Sequence, residues 1–323
     1  MRMVCLNLLL AFAALGAEPR LLTFAADGKL RADAPAILRT GGYTLAPREV
    51  LYEAATAMVQ DPGGRLHPVL WVTGEDLDAG VVELWIGAQA PEGPQVSSFG
   101  SDRVMAAGQR ARLVPAKESG AFGLIARLET EQDALASGPL YDEHGLYAGW
   151  HASRSIDGRR MSFAIPPERL AAIHQTMRLT LEQWNVLHDA KKEEPYLRAI
   201  GYLWAEEFDG ALFYFRKSSE LTPGLARVWL HLGFVEGKSG LAERRLECYR
   251  RAIELDPDLT EAHYLLGFAL LMRGDYEGAG KELKILRKLS EPYAQRLELF
   301  MKSVHVDVLG SDGKIRHRTR RMI

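Results

Sequence analysis

Residues 133–145 read DALASGPLYDEHG and bring several reactive groups into one short run: the Ser137 hydroxyl, the Asp142 and Glu143 carboxylates and the His144 imidazole. A serine acts as a nucleophile only when a base takes its proton and backbone N–H groups hold the oxyanion that follows. The nine histidines are 67, 144, 151, 174, 188, 231, 263, 305 and 317, and none is a sequence neighbour of Ser137. The fold would have to bring one to it. Two readings of Ser137 follow, the nucleophile of a serine endopeptidase or a small turn residue. His144 and His151 flank a β-rich run, and a spacing of seven along a strand sets them on opposite faces. Asp142-Glu143-His144-Gly145 reads as a solvated hairpin turn. No metal site and no cofactor are expected.

The elements that must position these groups begin behind a leader. MRMVCLNLLLAFAALGAEPR has a basic n-region at Arg2, an apolar run from Val4 to Ala14 and small residues to Ala17. That is the pattern of a secretory signal peptide over 1–17. The apolar run is short for a bilayer span, and no later stretch is long enough for one. The expectation is an exported protein, periplasmic or secreted, with no membrane span. Composition is globular, with 47% apolar residues, 25% charged residues and a net charge of −2, and nothing in it points to nucleic acid. Removing Cys5 with the signal leaves Cys248 alone, so no internal disulfide forms and the cores must hold the fold.

A repeat of 34 residues runs through the second half. Phe215, Tyr249 and Leu283 share the spacing, as do Phe208, Ala242 and Tyr276, the pair Gly233 and Gly267, and the pair Pro223 and Pro257. With WLHLG at 229–233 these residues resemble the tetratricopeptide repeat (TPR). The resemblance implies antiparallel helix pairs in which small residues permit close approach and proline ends the second helix. Three units are placed at 192–225, 226–259 and 260–293, within a repeat region 192–293. A C-terminal helix and basic tail occupy 294–323. In that family the first helix of each unit lines a concave groove. The matching positions here are Tyr196, Leu230 and Tyr264, then Ile200, Phe234 and Phe268, then Trp204, Lys238 and Met272. Such an apolar, aromatic groove would take a protein or peptide partner. Alternatively the chain's own tail VHVDVL (304–309), or the helix before the repeats, covers it.

The first half reads as short strands such as HPVLWV (67–72), VVELWI (81–86) and RARLVPA (110–116), an all-β pattern. SDRVMAAGQRARLVP, ASGPLYDEHGLYAGW and GRRMSFAIPPERL stand in the order that resembles the HtrA-like branch of trypsin-like serine proteases, over roughly residues 30–176. The resemblance implies a double β-barrel over 20–176. Aligning Gly138-Pro139-Leu140 with the end of the family's nucleophile loop puts Ala136 in the nucleophile position, with Ala134 and Leu135 before it. Asp78 matches the family's aspartate, and VLYEAA (50–55) puts Ala55 in the position of its histidine. Neither alanine can attack or accept a proton, and His67 stands beyond the expected segment. The fold class expected is a multidomain chain, a trypsin-like double β-barrel followed by an all-α TPR solenoid.

Leu170, Ile173, Met177, Leu181, Trp184 and Leu187 recur at helical spacing after Pro166-Pro167, predicting one helix over 167–190, with 177–191 assigned as the connecting segment. The basic end GKIRHRTRRMI reads as a solvated tail. The function expected is a non-catalytic, exported protein-binding scaffold of bacterial origin, a pseudoprotease shell joined to TPR repeats. Its alternatives are an endopeptidase using Ser137 in a displaced triad and a structural subunit of a cell-envelope assembly.

Overall fold

Apolar residues alternate along the first strands because a half-buried strand turns every second side chain inward. Burial alternates in this way along β1 (Arg20–Phe24) and β5 (Thr56–Gln60). The structure is a computed structural model describing residues 18–87, 93, 95–97, 103–106, 108–115, 126–130, 136–309 and 315–319. The leader, Ala134, Leu135 and the end of the basic tail lie outside the described residues. The chain divides into two compact units, Met1–Ala205 and Glu206–Ile323.

Two barrels make up most of the first unit. β1 and β5 belong to a sheet ordered β2-β1-β5-β6, with β2 at Leu30–Pro35 and β6 at Leu66–Pro68. A second sheet is ordered β3-β4-β8-β7, with β3 at Ile37–Arg39, β4 at Tyr43–Pro47, β7 at Trp71–Asp76 and β8 at Val81–Trp85. Only Ala36 separates β2 from β3, and only Val69 and Leu70 separate β6 from β7. The two sheets therefore share two bent strands as their outer members. Counted as continuous strands, the cyclic order is first, second, third, sixth, fifth, fourth.

The next six strands form a closed barrel. They are β9 (Arg103–Ala106), β10 (Gln109–Pro115), β11 (Ala126–Thr130), β12 (Gly138–Tyr141), β13 (Tyr147–Ile156) and β14 (Arg159–Ile165), ordered β10-β11-β14-β13-β12-β9. Taken from β9, this is again first, second, third, sixth, fifth, fourth. The double barrel with one repeated topology is the fold that the trypsin-like resemblance implies. Leu21, Val59, Leu84 and Trp184 anchor the first core, and Val104, Leu128 and Leu140 anchor the second.

The single helix predicted over 167–190 is interrupted. α1 spans Pro167–Ala171, with Pro166 as N-cap and proline at its start, and α2 spans Leu181–Leu187. Between them the backbone joins the β7 edge: Met177 N–H donates to Thr73 O, and Val72 and Leu179 exchange bonds of 2.8 and 3.0 Å. Thr180 then caps α2 reciprocally with Gln183. Covering an open strand edge and starting afresh at a capping box outweighs the apolar periodicity. α3 (Ala190–Trp204) follows in the same unit, capped by Asp189.

The second unit is a TPR solenoid. α4 (Phe208–Leu221) is followed by a helix pair, α5 (Ala226–Lys238) and α6 (Ala242–Leu255). A further pair, α7 (Thr260–Arg273) and α8 (Tyr276–Leu289), precedes α9 (Glu291–Val304). Gly233 explains the close approach within a pair: a Cβ there would stand 2.7 Å from the Tyr249 ring. The described residues end in a hairpin of β15 (His305–Leu309) and β16 (Ile315–Thr319), which places 305–309 in a sheet and leaves Val304 at the end of α9. The segment 192–225, read from sequence as one repeat, is divided between units, with α3 in the first and α4 in the second.

Candidate functional site

β12 leaves the position aligned with a nucleophile at the mouth of the second barrel. Ala136 is exposed, and its carbonyl lies 3.0 Å from His151 Nδ1. Ser137 is buried, and its Oγ accepts the Ser153 N–H at 3.1 Å. Among the described side chains no histidine nitrogen is a hydrogen-bond partner of Ser137 Oγ. His151 is nearest in the register, opposite Gly138, and burial holds its pKa down at about 4. With Nδ1 donating to Ala136, its Nε2 is a buried lone pair with no partner among the described residues. His144 sits exposed in the β12–β13 turn beside Glu143, where Asp142 accepts the His144 and Leu146 N–H groups.

Asp78 stands in the turn before β8, only 1% exposed. Gly80 takes φ +67° there, and its carbonyl accepts the Arg48 N–H. Both Asp78 carboxylate oxygens are engaged. Oδ1 accepts from the Tyr196 hydroxyl of α3, and Oδ2 from Arg169 of α1 at 2.9 Å. Arg169 also grips Asp76 through two bonds, and these carboxylates outweigh burial to hold it charged. A triad aspartate offers an oxygen to the base; here the Asp78 oxygens accept from tyrosine and arginine.

The Ala55 N–H donates to Phe24 O, at the entry to β5. The segment that adjoins Gly80 is the short turn after β4, Arg48 and Glu49. Arg48 is buried, and it binds Glu75 at 2.8 Å and Glu193 at 2.6 Å, so that position carries a permanent cation. His67, the other imidazole near this region of the sequence, is paired with Asp61 at 2.9 Å. The Arg48 cluster continues through Tyr52, through His188 at 2.9 Å from Glu193, and through the Trp184 indole N–H on Glu75. Burial works to raise the Glu193 pKa, but hydrogen bonds from His188 and Arg48 outweigh it and hold the carboxyl at about 2.

α3 carries three of the residues assigned from sequence to a partner groove, and all three turn toward the barrels. Tyr196 and Ile200 are fully buried, and Trp204 packs edge-on against Phe163. Gly201 lies against Ile156 and Arg154, and Tyr202 donates to Asp157. A pocket of about 260 Å³ remains between Arg48, Gly80, Arg154 and Arg198. Arg154 falls between Ala152 and Ile156 on the buried face of β13, a parity visible in YAGWHASRSI once that strand is drawn. No local pattern marks Arg48, Glu193 or Arg169 as partners of the cleft.

The other six groove residues lie in the second unit. Leu230 is fully buried and not available to a partner. Tyr264 meets Tyr293 at a tilt of 55°, and Phe268 meets Phe300 edge-on, so α9 covers part of the row. Phe234 is half-buried beneath the Lys238 ammonium at 5.4 Å, and Met272 is exposed. Cys248 is buried on α6, which pushes its thiol up to about 12. Among the described residues no helix is long and apolar enough to cross a membrane.

The model of the TPR repeat matches residues 246–274. The peroxisomal targeting signal receptor of Candida glabrata is 24% identical over 138 residues, 42% of this chain and 22% of that protein. The receptor of the same name from Eremothecium gossypii is 25% identical, over 40% of this chain and 24% of its own length. The chain thus spans less than a quarter of these curated relatives. Among solved structures, the TPR2B-domain:pHsp70 complex of yeast Sti1 is similar at 19% identity and TM-score 0.34, over 36% of this chain and 98% of that one. A protease of M. tuberculosis in its active form is similar at 15% identity and TM-score 0.39, over 54% of this chain and 88% of that one. The serine endoprotease of Yersinia pestis is similar at 18% identity and TM-score 0.40, over 51% and 64%.

Proposed function

We propose that this chain is a non-catalytic, exported scaffold that engages a protein or peptide partner through its TPR unit, beside a protease-like shell without chemistry. The observation that carries the reading is Asp78, whose two carboxylate oxygens are held by Tyr196 and Arg169. Ala136 at the nucleophile position and Arg48 beside Gly80 support it, since neither side chain can attack or accept a proton. The TPR repeat supports the partner class, because stacked helix pairs present extended binding surfaces. Of the groove residues, Met272 is exposed, and Phe234 and Phe268 are half-buried.

The test is reaction of the folded protein with a fluorophosphonate probe, with Ser137→Ala as control. No labelling is expected, because Ser137 Oγ is buried and accepts a backbone hydrogen bond. Labelling that vanishes in Ser137→Ala would overturn the reading and make the chain a serine endopeptidase with a displaced triad.

A further inference from the structure

Several arginines of this unit bind carboxylates. Arg169 binds Asp76 and Asp78, Arg48 binds Glu75 and Glu193, and Arg198 pairs with Glu194. Arg154 is 8% exposed and has no carboxylate within ion-pair distance among the described residues. Its guanidinium donates to two carbonyls, Ser153 O at 3.1 Å and Asp78 O at 2.6 Å, and lies 5.6 Å from the Trp204 ring. Its Nε has no acceptor. A buried cation satisfied only by neutral groups is unstable relative to one facing an anion. Burial accordingly pulls its pKa down, against the pull of Glu49 and Asp78.

We propose that the pocket walled by Arg154 binds a small carboxylate. Ser153 and Ser155 also line it, and Arg48 and Arg198 stand on it as well. At about 260 Å³ it falls below the usual range for drug-sized ligands and suits a carboxylate with a few attached atoms. The charge count selects a monoanion. Glu49 and Glu194 also line the pocket, so a dianionic phosphate would meet two carboxylates after neutralising the one uncompensated guanidinium. A single negative charge leaves the site balanced. The carboxylate belongs either to a free small acid or to a peptide C terminus. The inference stands whether or not the TPR groove takes a partner.

The test is titration of the ¹⁵N-labelled full chain with sodium acetate, N-acetyl-Ala-Ala and inorganic phosphate, following arginine Nε–H cross-peaks. The Arg154 peak is the one lost in Arg154→Lys or, should that variant not fold, the one displaced by Ser155→Leu. Ser155 is exposed and lines the pocket, so leucine there crowds the pocket's rim without entering a core. Saturable displacement by acetate or the dipeptide is expected, at least tenfold weaker in Ser155→Leu. Equal affinity for the two assigns a free acid, and tighter binding of the dipeptide assigns a chain terminus. No displacement by either up to about 0.1 M, an effect undiminished in Ser155→Leu, or tighter binding of phosphate than of acetate would each overturn the proposal.

Discussion

Tyr196 is the residue on which the reading of the cleft turns. Its ring is fully buried on α3, and its hydroxyl ends on Asp78. Tyr196→Phe keeps the ring and deletes the donor, leaving a buried carboxylate with one partner fewer. The loss expected is about 1–3 kcal/mol, measured by denaturant unfolding; an unchanged midpoint would show that the hydroxyl is not holding Asp78. Two kinds of signal in the sequence lead to this site. Ala136 could be placed from Gly138-Pro139-Leu140, because a loop motif is a local string. Tyr196 was assigned to a partner groove, because its repeat offset says where it sits on a helix and nothing about which surface the helix meets. VLYEAA fits the letters of the family's histidine segment at Ala55, while a backbone bond between strands sets Arg48 beside Gly80.

Among the elements, the repeat helices were the most legible, since a TPR pair is built from contacts within one 34-residue period. Gly233 states the constraint most sharply. An added Cβ would meet the Tyr249 ring at 2.7 and 2.8 Å and Cys248 Cβ at 3.0 Å, and none of these is the loose end of a side chain. Gly233→Ala should lower stability by about 1–3 kcal/mol through overpacking, although alanine favours helix more than glycine does. At Gly267 the nearest atom is a Leu297 methyl, which can turn aside, so Gly267→Ala serves as the milder comparison. Thermal unfolding of the two variants side by side decides it; equal losses would mean that Tyr249 gives way as readily as Leu297. The connecting helix was the least legible element. Leu170 to Leu187 repeat at helical spacing, yet 177–179 pair with β7, and only the Thr180–Gln183 box marks where helix resumes. Periodicity records which side chains are apolar; it does not record that a neighbouring strand has an unpaired edge.

At the scale of the molecule, the two units should answer pH in opposite directions. In the first, Glu193 is held at about 2 against an ordinary 4.5, and His151 at about 4 against 6.5. Both shifts are downward, so their stability is present at neutral pH. It is lost as the pH falls below 6.5 for His151 and below 4.5 for Glu193. In the second unit, burial works to lower the His263 pKa, but Glu282 at 2.7 Å and the Pro257 carbonyl at 2.8 Å outweigh it and raise it. That stability is full below 6.5 and is lost as the pH rises through the raised value. Calorimetry should show one transition moving down in acid and another moving down in alkali, the latter flattened by His263→Gln; transitions that shift together at every pH would contradict the assignment. The contacts that complete the first unit also set a timetable. Asp78 meets Tyr196 118 residues later, and Arg48 meets Glu193 145 residues later. At synthesis rates of about 5–20 residues per second, the early barrel waits roughly 6–30 seconds for these two partners. A nascent chain stopped before Ala190 would hold its strands and lack the helix that neutralises their ends. For that interval the growing polypeptide, rather than the finished one, is the species most exposed to a chaperone or a protease.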